Sequence, residues 1–149
     1  KAKNFNCNIV LPIDVVCADN VNDKSSVRHC DIKNIKPSQM ILDVGNKTSK
    51  LISEIILKTR MVLWNGPLGA FEYKPFEKSS VEVAKVINNN AKKLNITTLA
   101  GGGDTISAIK MAKAEEGFSY ISKAGGAFLE WLEGKESPGV TALKENKYN

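Results

Sequence analysis

The stretch that most constrains this chain is residues 97–105, TTLAGGGDT. A short β-branched and apolar run ends in three consecutive glycines, then an acid and a hydroxyl residue, and then a helical pattern begins. That order predicts a strand, an anion-sized loop and a helix N-terminus. A strand handing over to a helix in this way is a building unit of a parallel α/β sheet. The rest of the chain reads as scaffold and partners for this turn.

The remaining elements follow the same pattern. Residues 9–11 and 15–18 are short apolar runs around Pro12, which breaks or bends the extended segment. Residues 20–36 are polar and read as a loop with a short edge strand near 27–31. Residues 40–44 (MILDV) predict a buried strand, Gly45-Asn46 a turn, and Thr48 or Ser49 the cap of a helix to residue 59. That helix carries Leu51, Ile52, Ile55 and Ile56 on one face. A strand over 61–64 ends at Asn65-Gly66-Pro67. A helix over 76–94 shows the stripe Val83, Val86, Ile87. Strand 96–100 leads through the glycines to a helix over 104–114. Strand 118–121, turn 122–126 and a helix over 127–133, stopped by Gly134, complete the pattern. Pro138-Gly139 is a candidate hinge before a last helical turn. Alternating strands and helices predict an α/β fold with a mostly parallel sheet covered on both faces. TTLAGGGDTISAI and SYISKAGGAFLEW use the same device twice: a strand, a glycine turn and a helix. Trp64 and Trp131 are expected in the core.

Bulk properties exclude several functions. The 149 residues fit one domain with a real core. The formal charge of +5 comes from scattered lysines with no dense basic run and no interleaved aromatics, so nucleic acid is not an expected partner. A modest positive field suits an anionic small substrate. No run of about eighteen apolar residues is present, so no transmembrane helix is expected. The N-terminal KAKNFNCN lacks a signal-peptide core and a starting Met, which suggests a piece of a longer chain. Cys7, Cys17 and Cys30 form no CxxC pair, and His29 is the single histidine, so metal ligation by these residues is not expected. Cys17 reads as a buried small apolar residue, and this cysteine usage fits a reducing, cytoplasmic compartment.

In a parallel sheet, ligands bind beyond the carboxyl ends of the strands. The unusual turns, at 45–48, 65–72, 101–105 and 122–126, all fall at such ends. They converge on one edge if their strands are neighbours. Within GGGDT, glycines let backbone N–H groups approach an anion, and the helix dipole favours negative charge. Asp104 either caps the helix, as Thr105 also could, or meets a divalent cation between itself and a phosphate. The motif is not a Walker A loop, because no GK[ST] follows. In NGPLGAFE, Asn65 either bonds a phosphate or holds the turn, and Glu72 either accepts from ribose hydroxyls or is solvated. SKAGG offers N–H groups and Lys123 to an anion, or is a plain tight turn. Asp43 caps or pairs locally. His29 has no partner at a recognisable catalytic spacing.

With these residues in view, the chain resembles phosphoglycerate kinase. LPIDVVCAD, MILDVGNKT, VLWNGPLGAFE, LAGGGDT and AGGAFLEWLEGKESPGV occur in the family's order across nearly the whole chain. The resemblance implies a Rossmann-like three-layer αβα domain with a mostly parallel sheet. Residues 1–149 would be the C-terminal portion of the nucleotide-binding domain of a two-domain kinase, without the N-terminal glycerate-binding domain. The implied reaction is reversible phosphoryl transfer between 1,3-bisphosphoglycerate and ADP, giving 3-phosphoglycerate and ATP in glycolysis, with Mg2+. By motif, Glu72 would bind the ribose and Asn65 would face the polyphosphate. Gly102, Gly103, Asp104 and Thr105 would line the phosphate site, with Asp104 serving Mg2+. Gly125 and Gly126 would offer helix N-terminal amides to the phosphoryl group in transit. The resemblance also implies a monomeric, cytoplasmic full-length protein. The chain departs from the family's STGGGA turn at Lys123 and Ala124, and Asn46 stands where many members carry proline. Ala124 would be strained if its φ had to be positive. The expectation is no turnover by this piece alone. The alternatives are a nucleotide-binding module without catalysis and, remotely, a Rossmann oxidoreductase, for which no GxGxxG follows the first strand.

Overall fold

The structure is a computed structural model describing residues 1–136 and 138–145. It divides into two compact units, each described on its own below. The first comprises Lys1–Ile55 and Leu68–Val83, and the second comprises Ile56–Pro67 and the residues from Ala84 onward.

The first unit is built on three antiparallel strands. Strand β1 (Asp14–Ala18) lies between β2 (Arg28–Asp31) and β3 (Met40–Val44). Val15 pairs with Cys30 on one side and with Val44 on the other, and an irregularity on the β3 side falls between Val16 and Cys17. Four consecutive residues of β1 are buried, as a central strand covered on both faces requires. Val16, Ala18, Leu42 and Phe76 form a core cluster packed by Val21, Val27 and Ala70. Cys17 is fully buried, as its apolar context predicts, and its sulfur lies 3.8 Å from that of Cys30. Residues 9–11 are exposed and form no strand.

Helix α1 (Asn46–Ile56) follows β3 directly. Its cap is not Thr48 or Ser49. Those residues lie inside the first turn, and the capping acceptor is Asp14. Its carboxylate accepts from Lys47 N–H at 3.0 Å, Thr48 N–H at 2.7 Å and the Thr48 hydroxyl at 2.7 Å. A cap 34 residues away leaves no local signal, which is why the nearest hydroxyls look like the better candidates. The buried face of α1 is also more polar than its apolar pattern predicts. Thr48, Ser49 and Ser53 are buried, Leu51 and Ile52 are half-buried, and Ile55 is exposed. Asn46 occupies the first helical position, where proline is also well accommodated, so the departure at that site needs no rearrangement.

The second unit is the parallel sheet that the alternating pattern predicts. Strands β4 (Met61–Asn65), β5 (Thr97–Gly101) and β6 (Tyr120–Ser122) pair in that order, all parallel. Helix α2 (Lys78–Asn90) begins within the first unit's residues and ends within the second's. Helix α3 (Gly103–Met111) follows β5, α4 (Gly125–Leu132) follows β6, and α5 (Pro138–Glu145) follows in turn. Pro138-Gly139 thus opens a helix. Ile87, Ala91, Ile96, Ala100, Ala108 and Ile109 are buried. Trp64 is buried, with its ring centroid 6.1 Å from that of Phe118. The side chain of Trp131 lies outside the described residues. Coverage of the sheet is uneven, because Met61 and Leu63 on β4 are exposed. Among the described residues no helix is long and apolar enough to cross a membrane.

The fold is α/β, as predicted, and its parallel part is the sheet of the second unit. Strand β3 is not in that sheet. It pairs with β1 instead, so the turn at 45–48 does not leave the same edge as the others.

Candidate functional site

The parallel register places three turns side by side. Asn65 pairs with Gly101, and Gly101 pairs with Ser122, so β4, β5 and β6 all end on one row. Beyond that row lie Gly66-Pro67, Gly102–Thr105 and Lys123–Gly126. Three of the four turns singled out in the sequence therefore converge at the carboxyl edge, where open α/β sheets bind ligands. The second half of NGPLGAFE, including the exposed Glu72, belongs to the first unit.

Close backbone approaches hold the three turns together. Gly66 N–H donates to the Thr105 hydroxyl at 2.7 Å, and Thr105 is buried. Gly66 carbonyl in turn accepts from the Trp64 indole at 2.6 Å. Thr105 therefore ties the β4 turn to α3 rather than capping its own helix. Gly102 has φ of +93°, and a Cβ there would also lie 2.9 Å from Asn65 Oδ1. Conformation and space both require glycine at this position. A Cβ on Gly125 would lie 2.5 Å from Gly102 Cα and 2.6 Å from Gly102 N, so the starts of α3 and α4 meet backbone to backbone.

The two other glycines behave differently. A Cβ on Gly103 or on Gly126 would meet nothing within 4 Å. The fold itself does not explain why these positions are bare, and glycine there costs helix stability relative to alanine. No side chain caps α3, whose N-cap is Gly102. Asp104 sits in the first turn of α3 and is exposed, so it does not act as the cap. What remains at this edge is a set of helix-start amides at α3, an adjacent helix start at α4, and one carboxylate beside them. Such amides attract anions, and the helix dipole adds to the attraction.

Lys123 and Ala124 are both exposed. Among the described residues, positive φ outside glycine occurs only at Asn6, Asn95 and Lys113, so Ala124 carries no such strain. Its N–H donates to the Ser122 hydroxyl at 3.2 Å. Among the described residues, no group of three or more His, Cys, Asp or Glu side chains could hold a metal ion. The exposed carboxylate of Asp104 beside helix-start amides is a donor set compatible with Mg2+, which binds through one or two carboxylates plus substrate phosphates.

Two carboxylates act over distances that the sequence does not show: Asp14, to which it assigns no role, and Asp43, which it reads as a local cap or partner. Asp14 caps α1, as described above. Asp43, 2% exposed at the end of β3, accepts from Val44 N–H at 2.8 Å and from Ser79 N–H in the first turn of α2 at 3.1 Å. Burial raises its pKa, the Ser79 and Val44 N–H groups and the Ser79 hydroxyl lower it, and Glu77 adds repulsion. The balance stands at about 6. For Asp14, burial works against ionisation, but the Thr48 hydroxyl, the N–H groups of Lys47 and Thr48 and the Lys47 charge outweigh it, so its pKa is lowered.

Comparison with known proteins agrees with this architecture. The family profile for phosphoglycerate kinase matches residues 1–135. A phosphoglycerate kinase of Cereibacter sphaeroides is 47% identical over 143 residues, covering 96% of this chain and 36% of the relative. One from Chelativorans is 44% identical over 139 residues, covering 93% and 35% respectively. The solved phosphoglycerate kinase from Coxiella burnetii superposes with a TM-score of 0.80 at 33% identity, over 90% of this chain and 34% of that one. The chain thus spans about a third of the length of the curated relatives it matches. A profile match over most of the chain, high coverage by relatives and a shared fold lead to one conclusion: this chain belongs to the phosphoglycerate kinase family.

Proposed function

We propose that this chain carries part of the Mg-nucleotide site of a phosphoglycerate kinase, a phosphotransferase of glycolysis acting in the cytoplasm. The full enzyme would transfer a phosphoryl group reversibly between 1,3-bisphosphoglycerate and ADP, giving 3-phosphoglycerate and ATP. The observation that carries this reading is the single row Asn65–Gly101–Ser122, from which three glycine turns leave together in a chain of this family.

Each residue of the edge has a part in this reading. The N–H groups at the start of α3, from Gly103 onward, meet nucleotide phosphate, and Gly102 permits the close approach. Thr105 sets the spacing by holding Gly66. Asn65 offers its carboxamide to the polyphosphate chain. Gly125 and Gly126 open α4 and present amides where charge develops on the phosphoryl group in transit, which is where preorganised donors lower a barrier. The bareness of Gly103 and Gly126, unexplained by packing, is what close approach of a ligand to the backbone would require. Glu72 accepts hydrogen bonds from the ribose hydroxyls. Asp104 would hold Mg2+, whose chemistry when bound is to neutralise phosphate charge. The full-length protein would meet the glycerate substrate through its other domain and act as a monomer.

Calorimetry with Mg-ADP tests the nucleotide site. Binding by this chain, weakened by Asp104→Ala, is the expected result, and binding that ignores that substitution removes the metal assignment. The chain spans only about a third of its relatives, which favours a second reading for the piece itself: nucleotide binding without catalysis. Formation of ATP from 1,3-bisphosphoglycerate and ADP by this chain alone would overturn that second reading.

A further inference from the structure

Glu72 lies on the segment between Gly69 and Ser79 that leads into α2, and a single buried group touches this segment repeatedly. Asp43 Oδ2 accepts from Ser79 N–H at 3.1 Å, and Asp43 Oδ1 accepts from Val44 N–H at 2.8 Å. The segment also packs directly on that carboxylate, since a Cβ on Gly69 would lie 2.5 Å from Asp43 Oδ1. Flanking bonds run in the same direction. Ala70 N–H donates to Leu42 carbonyl at 2.7 Å, and the Ser79 hydroxyl donates to Val44 carbonyl at 2.8 Å. The segment carrying Glu72 is therefore fastened at both ends to the last residues of β3, with Asp43 at the middle of the fastening.

We propose that Asp43 is the positioning residue for Glu72: its carboxylate ties residues 69–79 to the end of β3, and its protonation loosens that tie. That Glu72 meets a nucleotide rests on the function proposed above, whereas the tie does not. The physical argument is one of acceptors. An ionised carboxylate offers both oxygens to N–H groups, and protonation turns one of them into a donor. The Ser79 and Val44 N–H groups then compete for what is left, and a buried N–H without an acceptor is costly. The groups facing Asp43 set where this happens. Glu77, on the same segment, repels it, and Glu77 Oε2 is buried without a hydrogen-bond partner. His29 of β2 and Lys78 of α2 line a small cavity beside it, with Val16 and Asn46 contributing no charge from β1 and α1. Burial and the Glu77 charge together bring the transition to about pH 6, within reach of ordinary conditions.

The test is an NMR titration of this chain in a His29→Gln background, which removes the imidazole lining the cavity beside Asp43. The expected result is a step near pH 6 in the Asp43 carboxyl carbon, shared by the amides of Ser79 and Glu72. Glu77→Gln shifts the shared step to lower pH, and Asp43→Asn abolishes it at both amides. A Glu72 amide that is flat through the Asp43 step overturns the proposal, as does a step that survives Asp43→Asn. Should Asp43→Asn fail to fold, the Glu77→Gln shift decides, because an unmoved Glu72 step also overturns the proposal. Mg-ADP binding measured over the same pH range separates the two readings. A shared step without any Mg-ADP binding supports the tie and refutes the nucleotide reading. Mg-ADP binding with a flat Glu72 amide refutes the tie and leaves the nucleotide reading standing.

Discussion

The two units treat their helix starts in opposite ways. In the first, the protein's own carboxylates fill them: Asp14 accepts from the first turn of α1, and Asp43 accepts from the first turn of α2. In the second, α3 starts at a glycine cap with no side chain bonded to it, and two of the surrounding glycines have open space where a Cβ would stand. A helix start filled internally stabilises the fold, whereas one left to backbone amides can serve an external anion. The same dipole thus acts structurally in one unit and is available for chemistry in the other. Glycines divide by what stands beside them, across both units. Gly45, Gly69 and Gly125 are demanded by atoms beside them, whereas Gly103 and Gly126 are not.

Substitutions at the glycines test this contrast most sharply. Gly125→Ala drives a methyl into the backbone of Gly102, and Gly69→Ala drives one into the Asp43 carboxylate and the Phe76 carbonyl, 2.6 Å away. Each should lower stability by about 3 kcal/mol, at the upper end of the range for overpacking. Urea denaturation followed by tryptophan fluorescence measures the loss. Values near zero would mean that these close approaches relax freely, and the contrast with Gly103 and Gly126 would disappear.

Asp14→Ala comes next. It removes the acceptor of two N–H groups and one hydroxyl at the start of α1, and the expected loss is about 2 kcal/mol, the upper end for a helix cap. Asp104→Ala, at the corresponding place in the second unit, should change stability by no more than about 0.5 kcal/mol because it caps nothing there. Equal losses at the two aspartates would break the comparison.

The pH dependence separates the two internal carboxylates. The Asp43 pKa is raised from 3.8 to about 6 in the fold, so between those values the folded chain holds more of that proton than the unfolded chain. Its contribution to stability therefore increases as pH falls from neutral toward about 4. The Asp14 pKa is lowered, so its contribution is present above its unfolded value and is lost as pH falls through the folded one. Urea midpoints should be higher at about pH 5 than at pH 7 because of Asp43, and lower again in stronger acid as Asp14 protonates. Asp43→Asn should abolish the gain at pH 5 while leaving the acid loss.

The smallest effect is the most diagnostic. Gly126→Ala adds a methyl into open space at the start of a helix and should stabilise the chain by about 0.5–1 kcal/mol. In the proposed enzyme the same methyl would stand where a phosphoryl group meets the α4 amides. Turnover falling while stability rises is the signature of a position held bare for a ligand.

The sequence alone determined the parallel sheet. Each strand of the second unit is a short run, with β4 ending in Asn-Gly, β5 in glycine and β6 three residues before Gly125-Gly126, and each leads toward a helix, so local pattern and global fold agree. The candidate residues on those turns could be named because glycine and helix-start signals lie within a few neighbouring positions. Tertiary structure alone decided three other things. It set the row Asn65–Gly101–Ser122, because register depends on strands far apart in the chain. It sent β3 to an antiparallel partner, because the pairing of β1 with β3 leaves no trace in the apolar content of either strand. It also gave the caps of α1 and α2 to Asp14 and Asp43, 34 and 36 residues from the groups they bond, while Thr48 and Ser49 look like better caps locally. Local chemistry can say which residue types a turn needs, but only the folded chain says which distant group supplies the charge.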